Sequence, residues 1–501
     1  MKRIIPSTMA TQHPDNAAKP YWHSRPFVST NAEIRESFLC YSDLGIDEYN
    51  WDWEGKFVDE AVIDRLLHQH FAYFQKNPLG KNKFLTFRFP NPRVEKQFRL
   101  ARALMVAITS SQLARSLGFN VDPVFEAILP LTESAGEIID IQEAFKALVG
   151  IEHKLLKLNQ SINHIEIIPL FEDVGTIINS DRIIREYVDL HKKAFGQKPE
   201  YLRPYIARSD PALNSGLIPT ILALKIALSR YKKLSQNIEV PLYPMLGTGS
   251  LPFRGGLSPQ TVEKSLDEYA GISTLIIQSA FRYDYPRSLV IKAIKTIKEK
   301  LPHKKAVSLE DKKIDKIISL VPKITKPYRQ TVESIAPLIN DISKYVAKRR
   351  ERMLHIGLFG YSRGLGEVQL PRAITYTAVL YSIGIPPELI GSGRGLKEVV
   401  KSGSLELVSS TYRHLVNDLS DAGHFLNKDN LQVLARQNSV WKAVQEDVSQ
   451  IEKIFHIELG YKNATQKEHY NLTARTLDKF LNGKNISPLI TLTGQLRQSL
   501  G

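Results

Sequence analysis

Ile165-Glu-Ile-Ile-Pro-Leu-Phe-Glu172-Asp173 and Tyr201-Leu-Arg-Pro-Tyr-Ile-Ala-Arg208-Ser-Asp210 are two apolar, β-branched runs, and the residues between them repeat their apolar positions at helical spacing. Ser180-Asp181 can cap that helix, Lys193 falls in its last turn, and Gly196 lies just past its end. Strand, helix and strand in that order make a βαβ unit, whose two strands run parallel. The pattern spreads outward. Strands are predicted at Phe84–Phe89, Val124–Leu131, His164–Phe171, Tyr201–Ala207, Glu239–Leu246, Thr274–Phe281 and His355–Phe359. A helix is predicted after Ser258-Pro259, closing at Gly271. Such alternation predicts an α/β fold, a (β/α)8 TIM-type barrel with many additional helices. Seven strands are legible where a closed barrel needs eight. After Val368 the chain reads as nearly all helix. The expected organisation is one catalytic barrel domain over residues 1–501, with a basic helical segment at 287–352 and a helical region at 368–501.

What ends each run carries the chemistry. Phe84-Leu-Thr-Phe-Arg88 and Thr274-Leu-Ile-Ile-Gln278-Ser-Ala-Phe-Arg282 end in arginine, as does His355-Ile-Gly-Leu-Phe-Gly-Tyr-Ser-Arg363. The two opening runs end in Glu172 and in Arg208 with Asp210, and a glycine-rich stretch, Gly247-Thr-Gly-Ser-Leu-Pro-Phe-Arg254-Gly-Gly256, follows the fifth. In a parallel barrel these ends converge on one face. Two carboxylates without cysteine suit a hard cation, Mg²⁺ or Mn²⁺. Several guanidinium forks suit a substrate bearing phosphate and carboxylate. Singly, each residue has a blander reading: Asp173 and Asp210 as helix caps, the arginines as salt-bridge partners. The glycine stretch matches neither the Walker A loop nor the dinucleotide fingerprint. His13, in Thr11-Gln-His13-Pro-Asp-Asn16, is held out of a helix by the proline and would be the general base if it reached the barrel mouth.

The chain has 501 residues, 67 Lys and Arg against 52 Asp and Glu, and a formal charge of +15. Between Arg287 and Arg352, 18 basic and 7 acidic residues supply +11 of it. Lysines there alternate with apolar residues at helical spacing, which predicts solvated helix faces rather than a nucleic-acid surface. A single cysteine, Cys40, excludes an internal disulfide framework and cysteine-rich metal sites. There is no apolar run long enough for a bilayer, and Met1-Lys-Arg has no apolar stretch behind it, so a cytoplasmic protein is expected.

Together these segments resemble a phosphoenolpyruvate carboxylase of the short, archaeal type, along essentially the whole chain. Thr11-Gln-His13-Pro resembles the family's catalytic histidine segment, and Phe253-Arg254-Gly-Gly its glycine-rich loop arginine. Pro169-Leu-Phe-Glu172 and Arg208-Ser-Asp210 resemble the strand ends that supply metal carboxylates. Phe87-Arg88-Phe-Pro, Gln278 to Arg282, Tyr361-Ser-Arg363 and Leu370-Pro-Arg372 resemble the substrate segments. The resemblance implies catalytic His13 and Arg254, metal ligands Glu172 and Asp210, and substrate contacts at Arg88, Arg208, Gln278, Arg282, Arg363 and Arg372. It also implies carboxylation of phosphoenolpyruvate by bicarbonate through carboxyphosphate and an enolate, with Mg²⁺ or Mn²⁺, in an allosteric homotetramer. The longer bacterial and plant members carry a second histidine at the start of the glycine-rich loop, and Leu246-Gly-Thr-Gly-Ser250 does not. A metal-dependent barrel lyase or aldolase acting on a 2-oxo acid would share the carboxylates and arginines but would need no bicarbonate. A non-enzymatic basic binding protein would instead work through the 287–352 surface.

Overall fold

The computed structural model describes residues 4–156, 158, 162–351, 364–365 and 368–501. Eight strands close into a parallel barrel in chain order: β1 (Thr8–Thr11), β2 (Glu48–Asp52), β3 (Phe84–Arg88), β4 (Glu126–Leu129), β5 (Glu166–Phe171), β6 (Tyr205–Ile206), β7 (Met245–Thr248) and β8 (Thr274–Ile277). The ring shuts where β8 pairs with β1, Thr8 opposite Leu275 and Ala10 opposite Ile277. This is the predicted fold class.

The period of two along each strand separates an inner from an outer core. Ile128, Ile168, Leu170, Tyr205, Met245 and Ile276 meet Met9 and Ala207 inside the barrel. Their neighbours Ala127, Leu129, Ile167, Phe171, Leu246 and Leu275 point outward and pack under the helices. Each such fully buried large side chain contributes about 1.5–3 kcal/mol. At the amino end the barrel is plugged by charge. Arg203 lies 2.6 Å from Glu48 and 2.8 Å from Glu126, all three buried, and Thr86 and Tyr201 donate to the same carboxylates.

That plug explains one of the two strands the sequence reading missed. In β2, Glu48, Asn50 and Asp52 face the barrel interior while Tyr49 and Trp51 join the outer core. The polar residues of a strand normally mark its solvent face, and here they mark the inside. β1 has only four residues and two of them are threonines. The predicted strand at His355–Phe359 lies outside the described residues, and the barrel closes without it. Other boundaries shift. Prolines 241 and 244 delay β7 to Met245, and the predicted run Thr274–Phe281 stops at Ile277 because Ser279–Tyr283 is helical. The helix after β5 starts at Val174, not at Ser180, because Asp173 Oδ1 accepts from the Gly175 and Thr176 amides and is its cap. Gly196, in the left-handed region at φ 78°, ends it as expected. The helix expected after Ser258 begins at Val262.

Helices Arg287–Lys300 and Asp311–Ser343 carry the basic segment. Ile314, Ile317, Leu320 and Ile324 are buried, whereas Lys312, Lys313, Lys316, Lys323 and Lys326 are exposed, which is the solvated face expected. From Ala373 to Leu496, eight helices follow among the described residues. No described helix is long and apolar enough to cross a membrane.

Candidate active site

The carboxyl ends of the strands open into a cavity of about 820 Å³. His13, Arg88, Glu172, Arg208, Asp210, Arg254, Gln278 and Arg372 all line it. Residues from six separated strand ends are thus brought together by ring closure, and Arg372 joins them from the start of helix Ala373–Ser382.

His13 follows β1 directly. Its Nδ1 lies 2.7 Å from Thr11 Oγ1, which sets the orientation of the half-buried ring. Arg88, at the end of β3, is clamped between Asp52 and Glu54, each 2.8 Å away. Burial opposes its charge, but these two carboxylates more than offset that and hold the guanidinium firmly protonated. Asp52 is correspondingly held well below the usual carboxylate range: burial pushes it up, and Arg88 and Lys56 outweigh the burial.

Arg254 sits on a one-turn 3-10 helix, Pro252–Arg254, in the glycine-rich loop after β7. Its guanidinium is buried, with Nε on Ser209 Oγ at 3.2 Å, Nη1 on Asp15 at 3.1 Å and on Gly501 O at 2.5 Å, and Nη2 on Gln278 Oε1. The loop can fold over it only because residue 249 is glycine: a Cβ there would stand 2.9 Å from the guanidinium carbon. Gly255, at φ 133°, turns the chain away where a side chain would be strained.

Arg208 lines the cavity but spends its fork on that same turn, donating to Pro252 O and Phe253 O at 3.1 Å. The opposite polarity of the turn is held by Glu388, which the sequence reading did not single out. Its Oε1 accepts from the Phe253 amide at 2.7 Å and from the Tyr381 hydroxyl at 2.8 Å. Burial pushes this carboxyl up from 4.5 to about 7. The fold therefore favours its acid form. That contribution to stability is present in full below about pH 4.5 and is lost as pH rises to about 7, a loss of up to about 3 kcal/mol. Glu388→Gln keeps the acceptor without the charge. It should raise the thermal midpoint near pH 8.5 and leave it almost unchanged near pH 5, in melts of both proteins across that range. Equal midpoints throughout would show that the carboxyl titrates normally.

Arg282 does not reach the cavity, which corrects the expectation that it contacts substrate. It lies in the short helix after Gln278 and is fully buried, with Nη1 2.8 Å from Cys40 Sγ, Nη2 2.7 Å from Thr11 O and 3.2 Å from Glu36. It anchors the end of β1 below His13. Arg363 lies outside the described residues. Glu54 and Ser209 line the cavity unforeseen, as do Lys344, Lys348, Arg349 and Arg350 after helix Asp311–Ser343. Glu54 could have been found only by recognising β2.

Glu172 Oε2 accepts from the Leu131 amide at 2.8 Å, and Asp210 opens helix Ser209–Ser215. No group of three or more His, Cys, Asp and Glu among the described residues forms a metal cage. Magnesium commonly takes one or two protein carboxylates and completes its shell with water and substrate oxygens. The Glu172 and Asp210 pair fits that mode and not a zinc-type cage.

A parallel barrel with carboxylates, guanidinium forks and a histidine around one mouth is the architecture of a barrel enzyme for a small anionic substrate. The family described as phosphoenolpyruvate carboxylase matches residues 5–501, and the chain belongs to that family. It is 40% identical over 506 residues to a phosphoenolpyruvate carboxylase of Leuconostoc mesenteroides, covering 100% of this chain and 99% of that one. It is 38% identical to the Metallosphaera sedula enzyme of that name, over 93% of each chain. With the Pyrococcus horikoshii one it shares 39%, over 85% of this chain and 89% of the other.

Proposed function

We propose that the cavity binds phosphoenolpyruvate and bicarbonate and converts them to oxaloacetate and phosphate. The observation that carries this is the gathering of His13, Arg88, Glu172, Asp210 and Arg254 around one cavity in a chain of this family. Arg254 and Arg372 offset the charge of the phosphoryl group as a bicarbonate oxygen attacks phosphorus and the enol ester P–O bond breaks. Arg88 steers the anion, its own charge secured by Asp52 and Glu54. Glu172 and Asp210 would hold a divalent ion, Mg²⁺ or Mn²⁺, which would supply positive charge to stabilise the negative charge that develops on the substrate. The products of this first step are carboxyphosphate and the enolate of pyruvate. His13 takes the carboxyl proton of carboxyphosphate, whose C–O bond breaks to give CO₂ and phosphate, and the enolate carbon then bonds to CO₂. Arg208 and Gln278 act by holding Arg254 and its turn in place. Family membership also supports a cytoplasmic, effector-controlled homotetramer, whose subunit number the solution mass would check.

The deciding assay couples oxaloacetate formation to NADH oxidation through malate dehydrogenase. The expected rate needs phosphoenolpyruvate, bicarbonate and the divalent ion together, and a chelator abolishes it. Turnover without bicarbonate, or without phosphate release, would replace this reading with a 2-oxo acid lyase or aldolase.

A further inference from the structure

Asp15 is fully buried, and no step above uses it. Its two oxygens have different partners. Oδ2 takes Arg254 Nη1 at 3.1 Å, and Oδ1 accepts from the Ala280 amide at 2.7 Å and from Ser279 Oγ at 3.0 Å. The Ser279 hydroxyl also lies 2.7 Å from the carbonyl of His13, and the Asp15 carbonyl accepts the Leu500 amide. One residue therefore touches the segment carrying His13, the turn carrying Arg254 and the segment after β8. Only Pro14 separates Asp15 from His13, and its fixed φ leaves little slack between them. Arg254 and Asp15 are 239 residues apart in sequence, so nothing local keeps the two catalytic groups in register.

On the carboxylation reading, we propose that Asp15 is the positioning residue that holds His13 and Arg254 in register, gripping the guanidinium with one oxygen and the Ser279–Ala280 turn with the other. The register matters at the handover between the two steps. Arg254 acts while the phosphoryl group moves, and His13 must be in reach when carboxyphosphate is to be broken down. Loosening the register leaves the first step partly intact. Carboxyphosphate then hydrolyses without carboxylating the enolate, and the enolate is protonated to pyruvate.

Asp15→Asn keeps the size and an acceptor for Ala280 but removes the negative charge that faces Arg254. Its kcat for oxaloacetate should fall about 10–100-fold, the range of a charge-assisted contact worth about 1.4–2.7 kcal/mol. KM for phosphoenolpyruvate should not rise, because the unpaired guanidinium still attracts the phosphate. The ratio of phosphate released to oxaloacetate formed should climb well above one. Partial unfolding would lower both products together and leave the ratio at one, so the ratio separates positioning from stability. If Asp15→Asn does not fold, Ser279→Ala, which removes only the hydroxyl between His13 and Asp15, should raise the ratio with a smaller rate loss. A ratio of one in the variant that folds overturns the inference. Wild-type protein that forms no oxaloacetate overturns the carboxylation reading itself, and the two failures are distinct.

Discussion

His13→Asn should cut oxaloacetate formation by about 10²–10⁴, the usual worth of a general acid–base group, while phosphate is still released from phosphoenolpyruvate in the presence of bicarbonate. The two readouts part because the residues for the two steps are different. Arg254 and Arg372, to which the proposed mechanism gives the phosphoryl group, are untouched by the change, whereas the imidazole is the group it gives the carboxyl proton. Asparagine can still reach Thr11 Oγ1, the contact that orients His13 through Nδ1, so the segment after β1 should keep its path. The measurement is a parallel assay of phosphate, pyruvate and oxaloacetate, with phosphate and pyruvate expected in near-equal amounts and oxaloacetate almost absent. Undiminished carboxylation would remove His13 from the mechanism.

Arg254→Ala should lower kcat by about 10²–10³, the cost of deleting a group that meets transition-state charge in a dry site. The loss has a second component. Burial pulls the Arg254 guanidinium down, and the Asp15 carboxylate 3.1 Å away offsets part of that. Alanine leaves Asp15 buried and unpaired, which costs about 3–5 kcal/mol of stability where a buried pair is broken. Arg254→Lys restores the charge but not the fork that bridges Ser209, Asp15 and Gln278, so it should recover stability more than rate. Both variants should therefore be assayed at a temperature below the lower of their thermal midpoints. An unchanged rate in the folded alanine variant would make Arg254 purely structural.

How much of this could be read from residues depends on which physical signal each element carries. β3, β4 and β5 have apolar or β-branched residues on both faces, so their runs stand out, and the residues that end β3 and β5 do reach the cavity. β2 carries the inverse signal, since its charged residues complete the buried network of Arg203 and Arg88. Missing it also hid Glu54. Arg282 was misplaced for a local reason. An extended chain after β8 would have lifted it towards the mouth, but the turn of helix from Ser279 rotates it back onto Thr11 and Glu36. Asp15 and Glu388 sit in segments with no periodicity, and their partners are distant in sequence. Nothing short of the folded chain pairs them with Arg254 and Phe253.

The seam between β8 and β1 has a consequence for how the chain becomes active. Pairing Thr8 with Leu275 draws together segments far apart in the chain, and the entropy of that closure is expected to make it a late step of folding. His13 lies just beyond one lip of the seam and Gln278 just beyond the other. An open arc can already hold Arg88, Glu172 and Asp210, and so can gather carboxylates and an anion-binding arginine, yet it lacks the contact between the histidine segment and the loop of Arg254. Competence therefore arrives with the last joint of the ring and not in proportion to the secondary structure formed.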